Sequence, residues 1–314
     1  MKFVRGSFTL LLSVTLLFAC KSGSEWQKNQ GEIFGTTYHL VYECPDGKDL
    51  HQKVKEALDS VNRSLSTYDS SSVISQFNRS SGGTITDQHF RDVFRTAKET
   101  TEATDGAFDM TVAPLVNAWG FGFSNKKEMD QPTIDSLKAL VGMQYVKMKG
   151  DSVLKHQPEI MLDASAIAKG HGSDVAAAVL ERHNCKNYMV EIGGEVTTRG
   201  KNPSNGPWRI GIDRPVDNPA PSYRELELIV ELSGQALATS GNYRQFYIDE
   251  KDGKKYSHTI DPKTGRPVDH NLLSATVIAP NCMLADAYAT AFMVMGLEKS
   301  FELIKKHPEL EGCF

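Results

Sequence analysis

The second half of the chain is a succession of short β-branched and aromatic runs punctuated by Gly, Pro, Asn and Asp. No other feature restricts the fold as much. Tyr188–Ile192, Trp208–Ile212, Leu226–Leu232, Ala236–Ser240, Arg244–Asp249 and Leu273–Ala279 each read as a strand. Turns this short suit antiparallel or mixed pairing and leave little room for the long crossovers of a strict βαβ alternation. Thr36–Tyr42 adds an earlier strand, and Tyr145–Lys149 and Ile160–Asp163 add two more. The class is therefore α+β, loosely α/β, with mixed or antiparallel sheets flanked by helices.

The helices are read from apolar periodicity. Val54, Leu58, Val61 and Leu65 recur at helical spacing before a Ser/Thr cluster. Phe90–Thr104 places Val93, Phe94 and Ala97 on one side, and Asp105-Gly106 stops it. Pro132-Thr133 opens a helix that ends at Gly142, and Met283–Lys306 is helical with a break at Gly296. Ser165–His183 is Ala-rich, although Gly170 and Gly172 weaken its first turns. Gly200–Pro207 and Pro215–Pro221 read as surface loops, and there is no internal repeat.

Residues 1–19 read as a signal peptide: Lys2 and Arg5 precede an apolar core from Ser7 to Ala19, too short for the ~20 residues of a spanning helix. Leu17-Phe18-Ala19-Cys20 resembles a bacterial lipobox, with cleavage before Cys20 and lipid on it; an ordinary signal with an incidental cysteine is the alternative. Lys21 stands where Asp would resemble an inner-membrane retention signal, a pointer to the outer membrane if the cell has one. Residues 20–31 then form a tether and 32–314 the folded domain. Export leaves 33 basic against 39 acidic side chains, so bulk charge does not hold this protein to nucleic acid. Cys44, Cys185, Cys282 and Cys313 have no metal-ligand spacing, and an exported compartment leaves their pairing open.

P-loop, GxGxxG, GxSxG and HExxH motifs are all absent. Four other constellations carry chemistry. Asp163 through Gly170 runs from an acid through small residues to Lys169-Gly170 at a helix start, where free N–H groups and an ammonium favour phosphate; a capping Ser165 with an exposed lysine is the plain reading. Asp286 and Thr290 share one helix face at i and i+4 and offer hard oxygens to Mg²⁺; a surface acid and a packing threonine are the plain reading. His258 lies at a strand end ahead of the turn Asp261-Pro262-x-x-Gly265 and is a candidate base. Asp105 through Val112, followed by Trp119-Gly120-Phe121-Gly122, forms a loop suited to a planar heteroaromatic ligand, or a turn beside a core tryptophan.

Taken in order, these pieces resemble the ApbE family of Mg²⁺-dependent FAD:protein FMN transferases. The resemblance runs through Phe34-Gly35-Thr36-Thr37-Tyr38, Ser66-Thr67-Tyr68-x-x-x-Ser72, Asp105-Gly106-Ala107-Phe108-Asp109-x-Thr111-Val112 and Trp119-Gly120-Phe121-Gly122. It continues through Asp163–Gly170, Gly193-Gly194-Glu195, Thr239-Ser240-Gly241-x-Tyr243, Ser257-His258 with Asp261-Pro262-x-x-Gly265, and Ala285-Asp286-Ala287 with Thr290. The family usually has Met where this chain has Phe34, and Ile after the histidine where this chain has Thr259 and then Ile260.

The resemblance implies an exported, often lipid-anchored enzyme that moves FMN from FAD to a Ser or Thr of a flavoprotein acceptor. It assigns Mg²⁺ to Asp286, Thr290 and the carbonyl region of Ala166, and the base to His258. FAD is assigned to Phe34, Tyr68, Ala107, Phe108, Asp109, Asp163, Lys169, Glu195, Ser240 and Ile260. Phe34, Tyr68 and Phe108 would meet the ring systems; Asp109, Asp163 and Glu195 would bond polar edges. A FAD pyrophosphatase, in which water replaces the acceptor hydroxyl, uses the same parts; a non-catalytic flavin-binding lipoprotein needs neither His258 nor the Asp286/Thr290 pair.

Overall fold

Seven strands form the central sheet of the computed structural model, which describes residues 25–123, 126–216, 225–243, 246–249 and 253–314. They are β1 (Glu25–Ile33), β2 (Thr36–Cys44), β3 (Asn187–Ile192), β4 (Glu195–Arg199), β5 (Ala236–Gly241), β6 (Ser274–Ala279) and β7 (Glu311–Cys313). Their spatial order is their chain order, and every neighbouring pair is antiparallel. The alternation of side chains along β5 sorts its two faces: Ala238 packs toward the helices, whereas Leu237 joins Ile212 and Leu232 of the separate Trp208–Asp213/Leu226–Leu232 ribbon.

Four helices position the functional residues: α1 (His51–Leu65), α2 (Gln88–Ala103), α3 (Ala168–Arg182) and α4 (Cys282–Met295). The periodic residues Val54, Leu58, Val61 and Leu65 are all buried. Asp87 caps α2 by accepting from Phe90 N at 2.9 Å, and the helix stops where Asp105 and Gly106 take φ of 51° and 79°. α3 packs on β2 and β3 through Ala176, Ala177 and Leu180, and α4 packs on β5 and β6 through Ala285, Ala289 and Phe292. Gly296, with φ 75°, separates α4 from the short helix Leu297–Ile304.

Three expectations change. The tether over 20–31 gives way from residue 25 onward to β1, an edge strand whose EWQKNQGEI sequence is mostly polar and so carries no strand signal. Ile160–Asp163 is not a strand: Asn78 takes the place of a neighbouring strand, with its Oδ1 accepting from Leu162 N at 2.8 Å and its Nδ2 donating to Leu162 O at 2.9 Å. The helix expected from Ser165 begins at Ala168, because Asp163 Oδ1 accepts from Ser165 N and Oγ and turns the chain first. The signal peptide, Cys20 and most of Pro215–Pro221 lie outside the described residues.

A disulfide joins Cys44, at the end of β2, to Cys185, just before β3, with Cα atoms 4.5 Å apart. It closes a span of 141 residues across the end of the sheet. Cys282 and Cys313 are free thiols.

α1, α2 and α3 meet around a histidine pair: His89 Nδ1 lies 3.1 Å from His171 Nε2, and His89 Nε2 lies 2.9 Å from Ser60 Oγ. Burial, with His89 adding to it, pushes the His171 imidazole from 6.5 down to about 4, against the opposing pull of Asp92 and Asp87. A depressed histidine value means that the unfolded chain binds a proton the native state refuses. Stability is therefore expected to fall as pH drops from 6.5 toward 4, by about 3 kcal/mol in all. Urea melts of His171→Gln should lose most of that acid slope; an unchanged slope would place the acid sensitivity elsewhere.

Candidate active site

The site forms where four of the sequence motifs converge at the N-terminal ends of α3 and α4. Phe34-Gly35 is the two-residue turn between β1 and β2, with φ of 53° and 72°, the left-handed pair that matches hairpin twist. A bulky residue in that conformation is uncommon. The Phe34 ring covers the bare backbone of Gly172 on α3, where a Cβ would lie 2.5 Å from Phe34 Cε2. The Gly193-Gly194 turn lies alongside, bonded through Gly193 N to Thr37 O at 3.0 Å. Lys169 runs over it, with Cδ 3.3 Å from where a Gly193 Cβ would stand.

α3 and α4 come together nearly backbone to backbone. A Cβ on Gly170 would sit 2.3 Å from Cys282 O and 2.8 Å from Asp286 Cβ. That contact gives the glycine expected only to weaken the helix its structural reason. Each helix is also capped by a carboxylate from the other. Asp286 Oδ2 accepts from Gly170 N at 3.0 Å, while Asp174 on α3 accepts from Cys282 N at 2.9 Å and Met283 N at 2.8 Å. Gly170→Ala is expected to force the helices apart and remove nearly all activity along with ~1–3 kcal/mol of stability; a variant with normal turnover and melting would contradict this packing.

Lys169 Nζ meets Glu195 Oε1 at 3.1 Å, and Glu195 Oε2 is buried without a hydrogen-bond partner. Burial alone would lower the Lys169 ammonium, but the Asp286 and Glu195 carboxylates outweigh it and hold the group above the usual lysine range. Glu195 is pushed up to about 8 by burial, against the pull of Lys169 and with Asp286 adding to the rise. Burial likewise raises Asp286, opposed by Lys169 and the Gly170 N–H, and raises Asp174 to about 6, opposed by the α4 N–H groups. The Lys169 ammonium thus faces two carboxylates, Glu195 and Asp286, and the pocket is short of positive charge.

Across this cluster, Thr290 Oγ1 is hydrogen-bonded to Ser240 Oγ of β5 at 3.0 Å, and neighbouring Thr239 bonds Thr276 of β6 at 2.8 Å. Asp163 and the Ala164–Ile167 turn lead directly into α3, and Asp163 N donates to Met110 O at 2.8 Å, which joins the Asp105–Val112 loop to the site. His258 follows the strand Lys255–Ser257, with its ring 6.4 Å from Phe121. Thr259 Oγ1 donates to Asn242 Oδ1 at 2.7 Å, tying the histidine segment to the chain just beyond Ser240. Tyr68 is 76% exposed, projected by a loop knotted through Ser66 O, which accepts from Ser72 Oγ and Ser75 Oγ.

Several residues that the resemblance assigns to FAD also have partners within the protein. Phe108 is buried with Phe77, Phe90 and Met110, so its ring belongs to the core. Ile260 packs with Leu115, Trp119 and Ile134, and Trp119 donates to Gly265 O at 2.9 Å as a core tryptophan. Asp109 accepts from Thr111 N and Oγ1 in its own loop and from Met143 N of a separate segment, so both its oxygens have partners. Ala107 lines a groove of about 930 Å³ with Asp261, Lys263, Met295 and Phe301. Lys169, Glu195, Asp286 and Thr290 do not line it, and the burial and charge of that cluster, not the size of the groove, mark the chemistry.

A family model described as the ApbE family matches residues 34–314. The chain belongs to the ApbE family. It is 39% identical over 305 residues to the FAD:protein FMN transferase of Vibrio cholerae serotype O1, covering 94% of this chain and 89% of that one. Its fold is similar to the flavin transferase ApbE from Vibrio cholerae, with a TM-score of 0.81 and 36% identity over 92% of this chain and 93% of that one. The apo Pseudomonas stutzeri flavinyl transferase ApbE also has a TM-score of 0.81, at 33% identity over 92% of this chain and 90% of its own. All the motifs of the ApbE resemblance fall inside the matched span. Asp174 escaped the sequence reading; its only signal is an acid four residues after Gly170, hence on the same helix face.

Proposed function

We propose that the chain transfers FMN from FAD to a Ser or Thr hydroxyl of an exported or membrane-bound flavoprotein and releases AMP. The supporting observation is the cluster itself: a lysine at a helix start held between two carboxylates, with Thr290, on the helix that carries Asp286, hydrogen-bonded to Ser240, in a chain of the ApbE family. The hydroxyl oxygen of the acceptor attacks the FMN-side phosphorus, the bond from that phosphorus to the AMP oxygen breaks, and AMP leaves. His258 accepts the hydroxyl proton. Lys169 neutralises charge on the phosphates. Tyr68 and Phe34 contact the rings, and the unpartnered Glu195 oxygen receives a donor from the substrate.

The pocket's shortage of positive charge fits Mg²⁺. Asp286, Thr290 and the Ala166 carbonyl would hold it, as a hard-oxygen set with one carboxylate. With a single carboxylate in that set, the phosphates of FAD and water would complete the shell. A bound Mg²⁺ would stabilise negative charge on the phosphates. Metal and FAD therefore bind interdependently, and EDTA is expected to stop turnover.

The signal peptide and a lipid on Cys20 would place the enzyme on the exported side of a bacterial membrane. No helix among the described residues is long and apolar enough to cross one. The test uses residues 21–314, FAD, Mg²⁺ and the apo form of an exported flavoprotein domain that carries phosphoester-linked FMN when native. Covalent FMN on that domain with equimolar AMP supports transfer; free FMN with an unmodified domain supports a pyrophosphatase instead. His258→Ala should lose transfer and the acidic limb of the pH profile, where a base must shed its proton to act, and wild-type transfer by that variant would refute the base.

A further inference from the structure

The two carboxylates exchanged between α3 and α4 do different jobs. Asp286 is proposed as a metal ligand. Asp174 touches no expected substrate or metal position, yet it accepts from the first two N–H groups of the helix that carries Asp286 and Thr290. That helix already has its own cap, since Asn281 Oδ1 accepts from Leu284 N at 2.9 Å and Asn281 O accepts from Ala285 N at 3.2 Å. What Asp174 adds is a link between helices.

Asp174 is itself oriented by β4, where Thr197 Oγ1 donates to its Oδ1 at 3.0 Å. Two residues back on the same face of that strand, Glu195 holds Lys169, and Ser173 Oγ of α3 donates to Glu195 O at 3.0 Å. One short strand thus orients the phosphate-binding lysine through Glu195 and the start of α4 through Thr197 and Asp174.

We propose that Asp174 is a positioning residue for metal binding: with Thr197 it fixes the start of α4 against α3, and so sets where Asp286 and Thr290 stand relative to the Ala164–Ile167 turn. The inference rests on the Mg²⁺ reading above. Outer groups that orient ligands without touching the metal typically contribute ~10–100-fold in affinity.

Mn²⁺ serves as the probe, its free signal followed by electron paramagnetic resonance while it is titrated into residues 21–314 with and without FAD. Asp174→Asn, which turns an N–H₂ toward the α4 donors, is expected to weaken Mn²⁺ binding by ~10–100-fold. Thr197→Val should weaken it in the same direction by less. Asn281→Ala, which removes a cap from the same helix end, should leave Mn²⁺ affinity within about twofold while lowering the melting temperature. Equal Mn²⁺ affinity in wild type and Asp174→Asn overturns the proposal, as does equal weakening by Asn281→Ala. If Asp174→Asn does not fold, Thr197→Val decides, and unchanged affinity there overturns it. A wild-type protein that takes up no Mn²⁺ under either condition gives a different result and overturns the metal reading itself.

Discussion

Asp286→Asn is expected to reduce FMN transfer by at least ~10²–10³-fold, the usual cost of removing one group that stabilises phosphoryl charge, and to do so without unfolding the protein. The two halves of that expectation have separate causes. An asparagine oxygen can still accept from Gly170 N, so the α3 cap survives. The carboxylate it replaces is raised by burial, and removing one of the two acids around a single ammonium relieves the native state. Melting temperature should stay level or rise, and the stabilisation that Mg²⁺ with FAD gives the wild type should vanish. Asp286→Ala differs: it also deletes the cap on α3 and is expected to cost about 1 kcal/mol. Turnover of Asp286→Asn within tenfold of wild type would remove Asp286 from the chemistry.

Breaking the Cys44–Cys185 bridge is expected to have the largest effect on stability. A cross-link that closes 141 residues restricts the unfolded chain strongly, and native bridges of this kind contribute about 2–5 kcal/mol. In a chain this size that is roughly 4–10 °C in melting temperature. Activity at 25 °C should persist in the reduced protein, because the bridge closes the start of β3 while the Gly193-Gly194 turn beside Lys169 lies past its other end. Identical melting with and without reductant would mean that the bridge adds nothing; early loss of activity would mean that the sheet transmits its strain to the site.

Periodicity revealed the elements with one buried face. Val54 through Leu65, the Leu226–Leu232 strand and the break at Gly296 lie where apolar spacing and glycine place them. It missed β1, a polar edge strand, and it misread Ile160–Asp163, whose pairing partner is the Asn78 side chain. The site residues were legible as motifs, but their partners were not. Nothing in the order of residues says that Lys169 meets Glu195 rather than solvent, or that Asp174 and Asp286 cap each other's helices. Those contacts depend on how closely α3 and α4 approach, and Gly170 sets that distance. Phe108 and Ile260 add a second case: they stand at motif positions beside the ligand loop, and periodicity does not say that their side chains pack into the core.

The account's central claim is that an acceptor hydroxyl, not water, attacks the FMN-side phosphorus. Running the reaction in ¹⁸O-labelled water with FAD, Mg²⁺ and the apo acceptor domain tests it directly by mass spectrometry of both products. Transfer predicts flavinylated acceptor and AMP that both carry no label, since the new phosphoester oxygen comes from the acceptor side chain and AMP keeps its own. Labelled free FMN as the main flavin product, with the acceptor unmodified, would contradict it.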